Sequence, residues 1–253
     1  MVGFTACDSF LDEDPKSSLT LDTYYKTSAD IIGNVNYLYR DGAPDKMGNM
    51  TGAYRGSSLS VMNMVTGYFV NEYEGQEVDC SYARQLTRQD FTQSCCNYLT
   101  NDTWKSCYKS INVANAVIKY VDGVEMDNQA QYKAEARFFR ALNYFYLVKM
   151  FGDVPMVTEP TEDATLVEYP TRTAASEVFN TVIIPDLQFA VENLPNATFA
   201  GNSHRVTKYA ADMLLADVYM RLGEYANAVT PLKDVINLSL IHISEPTRQE
   251  AIS

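Results

Sequence analysis

The apolar residues of this chain recur at helical spacing over most of its length, and one stretch is apolar on nearly every face. Residues 133–157 begin as a charged helix start and become apolar between Phe138 and Phe151. A helix that is apolar all round must be covered by other helices on several sides, and this stretch is too short and too often interrupted for a membrane span. We therefore predict a central buried helix that stops at Gly152, where Pro155 prevents an immediate restart.

Four further segments show helical spacing. One apolar stripe runs from Trp104 to Val121, and Trp104 is in phase with it, which favours a place in the core rather than a ligand-facing role. In another segment Pro185 interrupts the pattern, which predicts a kink near Ile184. The predicted helical segments are Thr20–Tyr39, Trp104–Val121, Ala174–Leu194 and, as a helical hairpin, Val206–Asn237.

The last of these segments has the spacing of a tetratricopeptide unit. Small residues stand where two helices would touch, aromatic residues stand beside them, and a glycine stands at the turn: Ala216, Tyr219, Gly223, Tyr225, Ala228 and Leu232. One such unit cannot bury its own apolar face, so several must stack, with residues 104–152 as a degenerate neighbouring hairpin. The predicted fold class is all-α, a tetratricopeptide-like stack of helical hairpins.

Residues 41–103 are the least regular part of the chain. Six glycines are spread from Gly42 to Gly75, and polar and aromatic residues alternate without a sustained period. We predict a loop-rich insertion here, and loops on a rigid scaffold are where binding residues concentrate.

Composition excludes several classes of partner. The formal net charge of −12 argues against binding nucleic acid, or an anionic lipid surface by charge. The chain has 18 tyrosines and one tryptophan. Tyrosine has an apolar ring and a polar tip, so it suits helix cores and sugar-facing surfaces equally well.

Cysteines and histidines do not form a metal-ligand pattern. None of the five cysteines belongs to a Cys-x-x-Cys pair and there are only two histidines, so we predict no metal site and no cofactor. The four cysteines after Cys7 either form one or two disulfides or remain free buried thiols. They are Cys80, Cys95, Cys96 and Cys107.

No catalytic motif is present. The sequence contains no Gly-x-Ser-x-Gly, phosphate-binding loop or dinucleotide fingerprint, and before residue 238 its only imidazole is His204, in a polar loop. A glycosidase needs only two suitably spaced carboxylates, so an enzyme remains an alternative. Asp212 and Asp217 are read as charges on the exposed face of a helix. We predict a protein that is not an enzyme.

The run EARFFRALNYFYLVKMFGDVPMV at residues 135–157 resembles the signature helix of the SusD/RagB family, and the array from Trp104 to Ile118 resembles the helix before it. Members are glycan-capturing lipoproteins that sit on TonB-dependent transporters in Gram-negative outer membranes. The resemblance implies cell-surface glycan binding in nutrient uptake, with an oligosaccharide and a SusC-like transporter as partners. A helical-repeat scaffold that binds only protein, and a glycan-degrading enzyme, are the alternatives.

The resemblance also suggests site residues. In the family, the region that corresponds to 41–103 supplies part of the glycan-facing surface, where aromatic rings stack on sugars and polar groups bind their hydroxyls. The alternative is that each tyrosine simply covers the helices beneath it. The candidates are Tyr68, Phe69, Tyr73, Tyr82, Arg84, Asn97 and Tyr98.

The two ends of the sequence are interpreted separately. Residues 4–7 resemble the end of a lipoprotein signal, so Cys7 is the candidate lipidation site for anchoring in the outer membrane, and the alternative is a free cysteine near a frayed terminus. Residues 238–248 resemble a translated sequencing adaptor, and the alternative is an ordinary tail. The predicted organisation is a signal end and tether at 1–20, a helical-repeat domain at 21–237 and a non-native tail at 238–253.

Overall fold

The computed structural model describes residues 20–40, 66, 88–89, 94–161, 170–198 and 200–243. The described part is helical, with one short antiparallel strand pair, which confirms the all-α prediction. The helices are α1 Leu21–Tyr24, α2 Ser28–Arg40, α3 Ser94–Tyr120, α4 Gln129–Phe151, α5 Ala175–Val178, α6 Ile184–Asn193, α7 Lys208–Arg221 and α8 Tyr225–Ile243. The strands are β1 Val154–Pro155 and β2 Arg172–Thr173.

Helix α4 is the centre of the core, as predicted. It packs against α2, α3 and α6, and side chains on nearly every face are buried. The buried set includes three polar residues, Glu135, Arg140 and Asn143, beside large apolar ones such as Tyr144. Since an unpaired buried polar group is costly, each of these polar residues must have partners within the fold.

The successive helices form a stack. Helix α3 packs on α4, α4 on α6, α6 on α7 and α7 on α8, while α2 lies across α3 and α4. Each layer contacts mainly its neighbours, which is the arrangement of a tetratricopeptide-like array.

The predicted helix over residues 20–39 is divided in two. Thr20 begins α1, where its backbone N–H donates to Thr23 Oγ1 at 3.0 Å. A break at Tyr25–Thr27 follows, and Asp30 then caps α2 by accepting hydrogen bonds from the Thr27 backbone N–H at 2.8 Å and the Thr27 hydroxyl at 2.7 Å. These hydrogen bonds lower the pKa of the Asp30 carboxyl. Local capping therefore produces two helices where periodicity alone predicts one.

Helix α3 begins at Ser94, so its predicted start at Trp104 is wrong. A 3₁₀ turn, Val121–Gly123, and residues up to Asn128 then reverse the chain into α4. Gly152 ends α4 with a φ of +69°, a backbone conformation that residues with a side chain rarely adopt. The predicted helix stop at this glycine is confirmed.

Pro185 changes the helical winding where a kink is predicted. The segment Phe179–Ile183 forms a π turn between α5 and α6, and Pro185 lies in the first turn of α6. Proline has no backbone N–H for the preceding turn, and the wider winding absorbs this loss. Val182, Ile183 and Leu187 remain buried on both sides of the junction.

The predicted hairpin over residues 206–237 is present as α7 and α8. Gly223 makes the turn with a φ of +76°, and the Glu224 N–H donates to the Tyr219 carbonyl at 2.9 Å. Helix α8 continues to Ile243 with Pro231 inside it, so the prediction that helical structure ends at Asn237 is wrong.

Two further predictions concern side chains that the structure describes. Asp212 is buried rather than exposed. Its carboxylate is paired with Lys208 Nζ at 2.9 Å, and the same nitrogen binds Asp234 on α8 at 2.5 Å. Cys107 is a free, buried thiol, and burial raises its pKa to about 12. Cys7 and Cys80 lie outside the described residues, and of Cys95 and Cys96 only the helical backbone is described.

Candidate functional site

The first turns of α3 extend beyond the helix on which α3 packs. Asn115 on α3 lies opposite Arg140, and Trp104 lies opposite Phe151, the last residue of α4. Since the two helices are antiparallel, Ser94–Thr103 reaches past the end of α4 by about 15 Å, at a rise of about 1.5 Å per residue. We call this segment the α3 extension.

Two of the candidate glycan-binding residues lie on this extension. Asn97 precedes Trp104 by seven residues, so its position is in line with the α3 face that contacts α4. Tyr98 is in line with Lys105, which is exposed. Both were predicted within a loop, and that prediction is wrong because the backbone here is helical. The other candidates, Tyr68, Phe69, Tyr73, Tyr82 and Arg84, lie outside the described residues.

A cluster of aromatic rings supports the base of the extension. The Trp104 ring lies 5.1 Å from the Phe151 ring, nearly edge to face, and 5.0 Å from the Tyr108 ring. Tyr108 in turn meets Tyr144 of α4 edge to face at 6.5 Å. Trp104 is half-buried and packs against the core, as its place in the apolar stripe predicts. The rings fix the direction in which the extension leaves the core.

Two tyrosine hydroxyls bind the chain that returns after α4. Tyr108 Oη donates to the Pro155 carbonyl at 2.7 Å. Tyr144 Oη donates to the Val157 carbonyl at 2.8 Å and accepts from the Val157 N–H at 2.7 Å. Burial raises the pKa of Tyr144 to about 12, so the hydroxyl keeps its proton and both hydrogen bonds at neutral pH. The returning segment is therefore held against the extension's base.

A buried ion pair fixes the same segment from within the stack. Arg140 binds Asp186 of α6 in bidentate fashion, with Nε–Oδ2 at 2.6 Å and Nη2–Oδ1 at 2.8 Å, and its Nη1 donates to Asn115 Oδ1 at 2.9 Å. Asn115 Nδ2 then donates to the carbonyls of Val157 at 3.0 Å and Glu159 at 3.2 Å. Burial raises the pKa of the Asp186 carboxyl, while the Arg140 guanidinium acts to lower it.

This network contains a feature that sequence reasoning missed. Asn115 is buried, and its side-chain amide is satisfied by Arg140 and by the returning backbone. The Arg140–Asp186 pair was missed, although an arginine within the most apolar stretch is a signal that a buried carboxylate faces it.

A second polar cluster lies near the other end of α4. Glu135 is fully buried, and its carboxylate accepts hydrogen bonds from the Tyr39 hydroxyl at 2.9 Å and from Arg205 Nε at 3.0 Å and Nη2 at 2.5 Å. Arg205 also stacks over the Tyr39 ring at 4.8 Å. Burial, followed by the nearby Glu135 charge, raises the pKa of Tyr39. The cluster joins α2, α4 and the segment before α7.

An open groove of about 610 Å³ runs beside this cluster, between α2 and the start of α4. Ile32, Met126 and Tyr132 supply its apolar surface, and its polar lining is Ser28, Glu125, Asp127 and Asn128. His204 directly precedes Arg205 of the cluster in sequence and lies in an exposed turn with a φ of +61°.

In the part of the chain that the structure describes, no helix has the length and apolar content of a membrane span. Within the same residues, no three metal-ligating side chains converge on one point.

Comparison with known proteins identifies the family. A family model described as starch-binding and associating with the outer membrane, the SusD-like model, matches residues 9–220. The chain belongs to the SusD-like family. The resemblance of the α4 sequence is thereby confirmed, and the helical-repeat fold is the fold of the family's solved structures.

Individual relatives agree with this assignment. The SusD-like protein P2 of Formosa agariphila is 28% identical over 231 residues, which cover 90% of this SusD-like chain and 43% of that protein. A SusD-like protein of Bacteroides ovatus is 28% identical over 235 residues, covering 90% of this chain and 39% of that protein. The chain thus spans less than half of the length of these relatives.

Solved structures show the same fold. A laminarin-binding SusD-like protein superposes with a TM-score of 0.67 at 25% identity, over 83% of this chain and 44% of that one. A SusD-like carbohydrate-binding protein of Bacteroides fragilis gives a TM-score of 0.69 at 21% identity, over 85% and 41% respectively.

Proposed function

We propose that this SusD-like chain is part of a cell-surface lipoprotein that binds an oligosaccharide or polysaccharide and works with a TonB-dependent transporter in nutrient uptake. The observation that carries the proposal is the family match over residues 9–220, to a description that names both starch binding and the outer membrane. The laminarin-binding neighbour at 25% identity supports the carbohydrate class of the ligand.

The α3 extension is our proposed contact with the glycan. A binding site needs side chains held in place before the ligand arrives, because ordering them during binding lowers affinity. The ring cluster of Trp104, Tyr108 and Phe151 supports a helical segment that carries Asn97 and Tyr98. In this arrangement Tyr98 provides a stacking ring and Asn97 a donor and acceptor for hydroxyls. The remaining proposed contacts are Tyr68, Phe69, Tyr73, Tyr82 and Arg84.

Binding to immobilised and soluble glycans tests this function. The chain is titrated with a panel that includes laminarin, and the variants Tyr98→Ala and Asn97→Ala are compared with Tyr225→Ala. Tyr225 is a suitable control because it is a tyrosine 68% exposed on α8, a helix that packs on α7 and not on α3. We expect the two α3 variants to weaken binding by about tenfold or more, the loss typical of a central contact, and the control to bind as the parent chain does.

Glycan retention, analysis of the released sugars and capture of a transporter together separate the alternatives. A chain that retains no glycan but captures a transporter favours a helical-repeat scaffold. Release of shortened sugars favours a glycan-degrading enzyme instead of a binding protein without catalytic activity. Retention of glycan without any products supports the proposal.

The lipid anchor has its own test. We propose that Cys7 carries several acyl chains, because residues 4–7 resemble the end of a lipoprotein signal. Several chains together bind a membrane firmly, whereas one chain binds marginally. Metabolic labelling with a fatty acid should mark the protein when it is expressed behind a lipoprotein signal, and Cys7→Ala should abolish the label. Label that persists in Cys7→Ala would exclude this residue as the anchor.

A further inference from the structure

Two positive side chains converge on one buried ring at the carboxyl ends of α4 and α7. Lys149 Nζ lies 5.5 Å from the centre of the Phe145 ring, and Arg221 Cζ lies 5.3 Å from the same centre. Lys149 Nζ is also 5.6 Å from the Tyr146 ring. Both cations therefore lie beside one aromatic ring, in a protein whose net charge is −12.

The negative charge available locally does not balance this pair. Asp217 Oδ1 lies 3.5 Å from Arg221 Nε, in a pair whose side chains are both 42% exposed. Among the described residues, no carboxylate lies within ion-pair distance of Lys149 Nζ. Burial, and then the charge of Arg221, lower the pKa of Lys149, while Asp217 acts to raise it. The three groups together carry a net positive charge.

Each cation alone has an ordinary explanation. Lys149 and Arg221 stand in the last turns of their helices, where the partial negative charge of the carbonyl ends favours a cation. That explanation does not account for their convergence on Phe145, which brings like charges together at a cost. An added anion would remove this repulsion and gain two charge-assisted contacts.

We propose that Lys149 and Arg221 form an oxyanion site that takes the sulfate or carboxylate group of an acidic glycan. The site lies at the same end of α4 as the α3 extension, because Phe151, which contacts Trp104, follows Lys149 by two residues. One anionic sugar substituent matches a cluster with one excess positive charge better than a multiply charged acidic protein segment does. This inference rests on the proposed glycan-binding function and specifies the class of glycan.

The test compares laminarin with sulfated laminarin, so that the two ligands differ in charge and not in sugar backbone. The chain should bind sulfated laminarin more tightly than laminarin, even though the chain's net negative charge repels a sulfated ligand. Lys149→Gln and Arg221→Gln should each reduce this preference about three- to tenfold, the effect of losing one exposed charge-assisted hydrogen bond. Lys149→Arg should retain the preference, and Lys233→Gln, which removes an exposed cation on α8, serves as the matched control.

Different results would overturn the oxyanion site and the proposed glycan-binding function. Binding of both glucans with equal affinity, or an unchanged preference in Lys149→Gln and Arg221→Gln, overturns the oxyanion site and leaves glycan binding intact. If neither glucan binds, inorganic sulfate is titrated while the Arg221 side-chain N–H resonance is followed by NMR. A resonance that does not move overturns the site. Displacement of bound sulfate by polyglutamate but not by sulfated glucan overturns the glycan assignment in favour of a protein carboxylate.

Discussion

The α3–α4 and α7–α8 hairpins are both pairs of packed helices, but neighbouring helices cover them to different extents. Helix α4 is covered by α2, α3 and α6, and its polar residues are buried. The α7–α8 hairpin packs on α6 from one side, and several of its large apolar side chains are exposed. These are Met213, Met220, Tyr225, Val229 and Ile236. In a repeat stack, the position of a hairpin among its neighbours therefore decides what its residues contribute.

The ion pairs formed by Arg140 of α4 and Lys208 of α7 show the same contrast. Asp186 is fully enclosed and receives two hydrogen bonds from Arg140. Asp234, which receives Lys208, has a side chain that is 41% exposed. Water can replace the partner in the second pair but not in the first, so equal substitutions should have unequal costs.

Breaking the inner pair should have the largest effect. Arg140→Met leaves the Asp186 carboxylate buried, and among the described residues its remaining cation is Arg137, 3.8 Å away. We expect the free energy of unfolding to fall by about 3–5 kcal/mol, measured by denaturant titration. The double variant Arg140→Met/Asp186→Leu should recover most of this loss. A single variant that loses less than about 1 kcal/mol would contradict the contrast between the hairpins.

The next largest effect concerns Tyr144. Tyr144→Phe leaves the Val157 N–H and carbonyl without the hydroxyl, which should lower the free energy of unfolding by about 1–3 kcal/mol at pH 7. Tyr225→Phe, on the exposed face of α8, should have no effect.

Alkaline pH gives a second measurement on the same residue. The pKa of Tyr144 is about 12 in the fold, against about 10 in an unfolded chain, so the folded state holds the proton more tightly. This contribution is complete below pH 10 and is lost as the pH rises towards 12. Stability measured between pH 9 and pH 11 should therefore fall less steeply in Tyr144→Phe than in the parent chain, and an identical slope would contradict the role assigned to burial.

Breaking the outer pair should have a small effect. Asp234→Asn removes one of the two carboxylates at Lys208 Nζ and leaves Asp212 in place. Because this side chain is half exposed, we expect a loss of about 0.5 kcal/mol or less in denaturant titration. A loss as large as that of Arg140→Met would remove the distinction between the hairpins.

The smallest effect is expected on the outer face of α8. Ile236 is 54% exposed, so Ile236→Lys should change the free energy of unfolding by no more than about 0.5 kcal/mol. It should increase the concentration at which the chain stays monomeric, measured by light scattering, because it interrupts an apolar patch. The same change at Ile111, which is buried in α3, should prevent folding.

The parts of the fold that the sequence predicts correctly depend on local chemistry. The all-round apolar stretch predicts α4, and Gly152 predicts its end. Pro185 predicts the disturbance before α6, and the small-residue spacing predicts the α7–α8 hairpin. Each of these signals lies within one or two helical turns of the structure that it specifies.

The errors arise where distant residues decide the outcome. Residues 94–103 carry no sustained apolar stripe, so periodicity places the start of α3 too late. Arg140 and Asp186 are 46 positions apart, and periodicity does not indicate which carboxylate meets which cation. Asp212 reads as a surface charge because its partner Lys208, four residues earlier, is equally typical of an exposed helix face.

The enclosed thiol of Cys107 offers a built-in probe of motion. Thiol reagents attack the thiolate, and at neutral pH this sulfur is neither ionised nor reachable while α3 rests on α4. The rate of alkylation at this one residue, followed by mass spectrometry, would therefore report how often the two helices separate. A ligand that holds the two helices together would lower this rate.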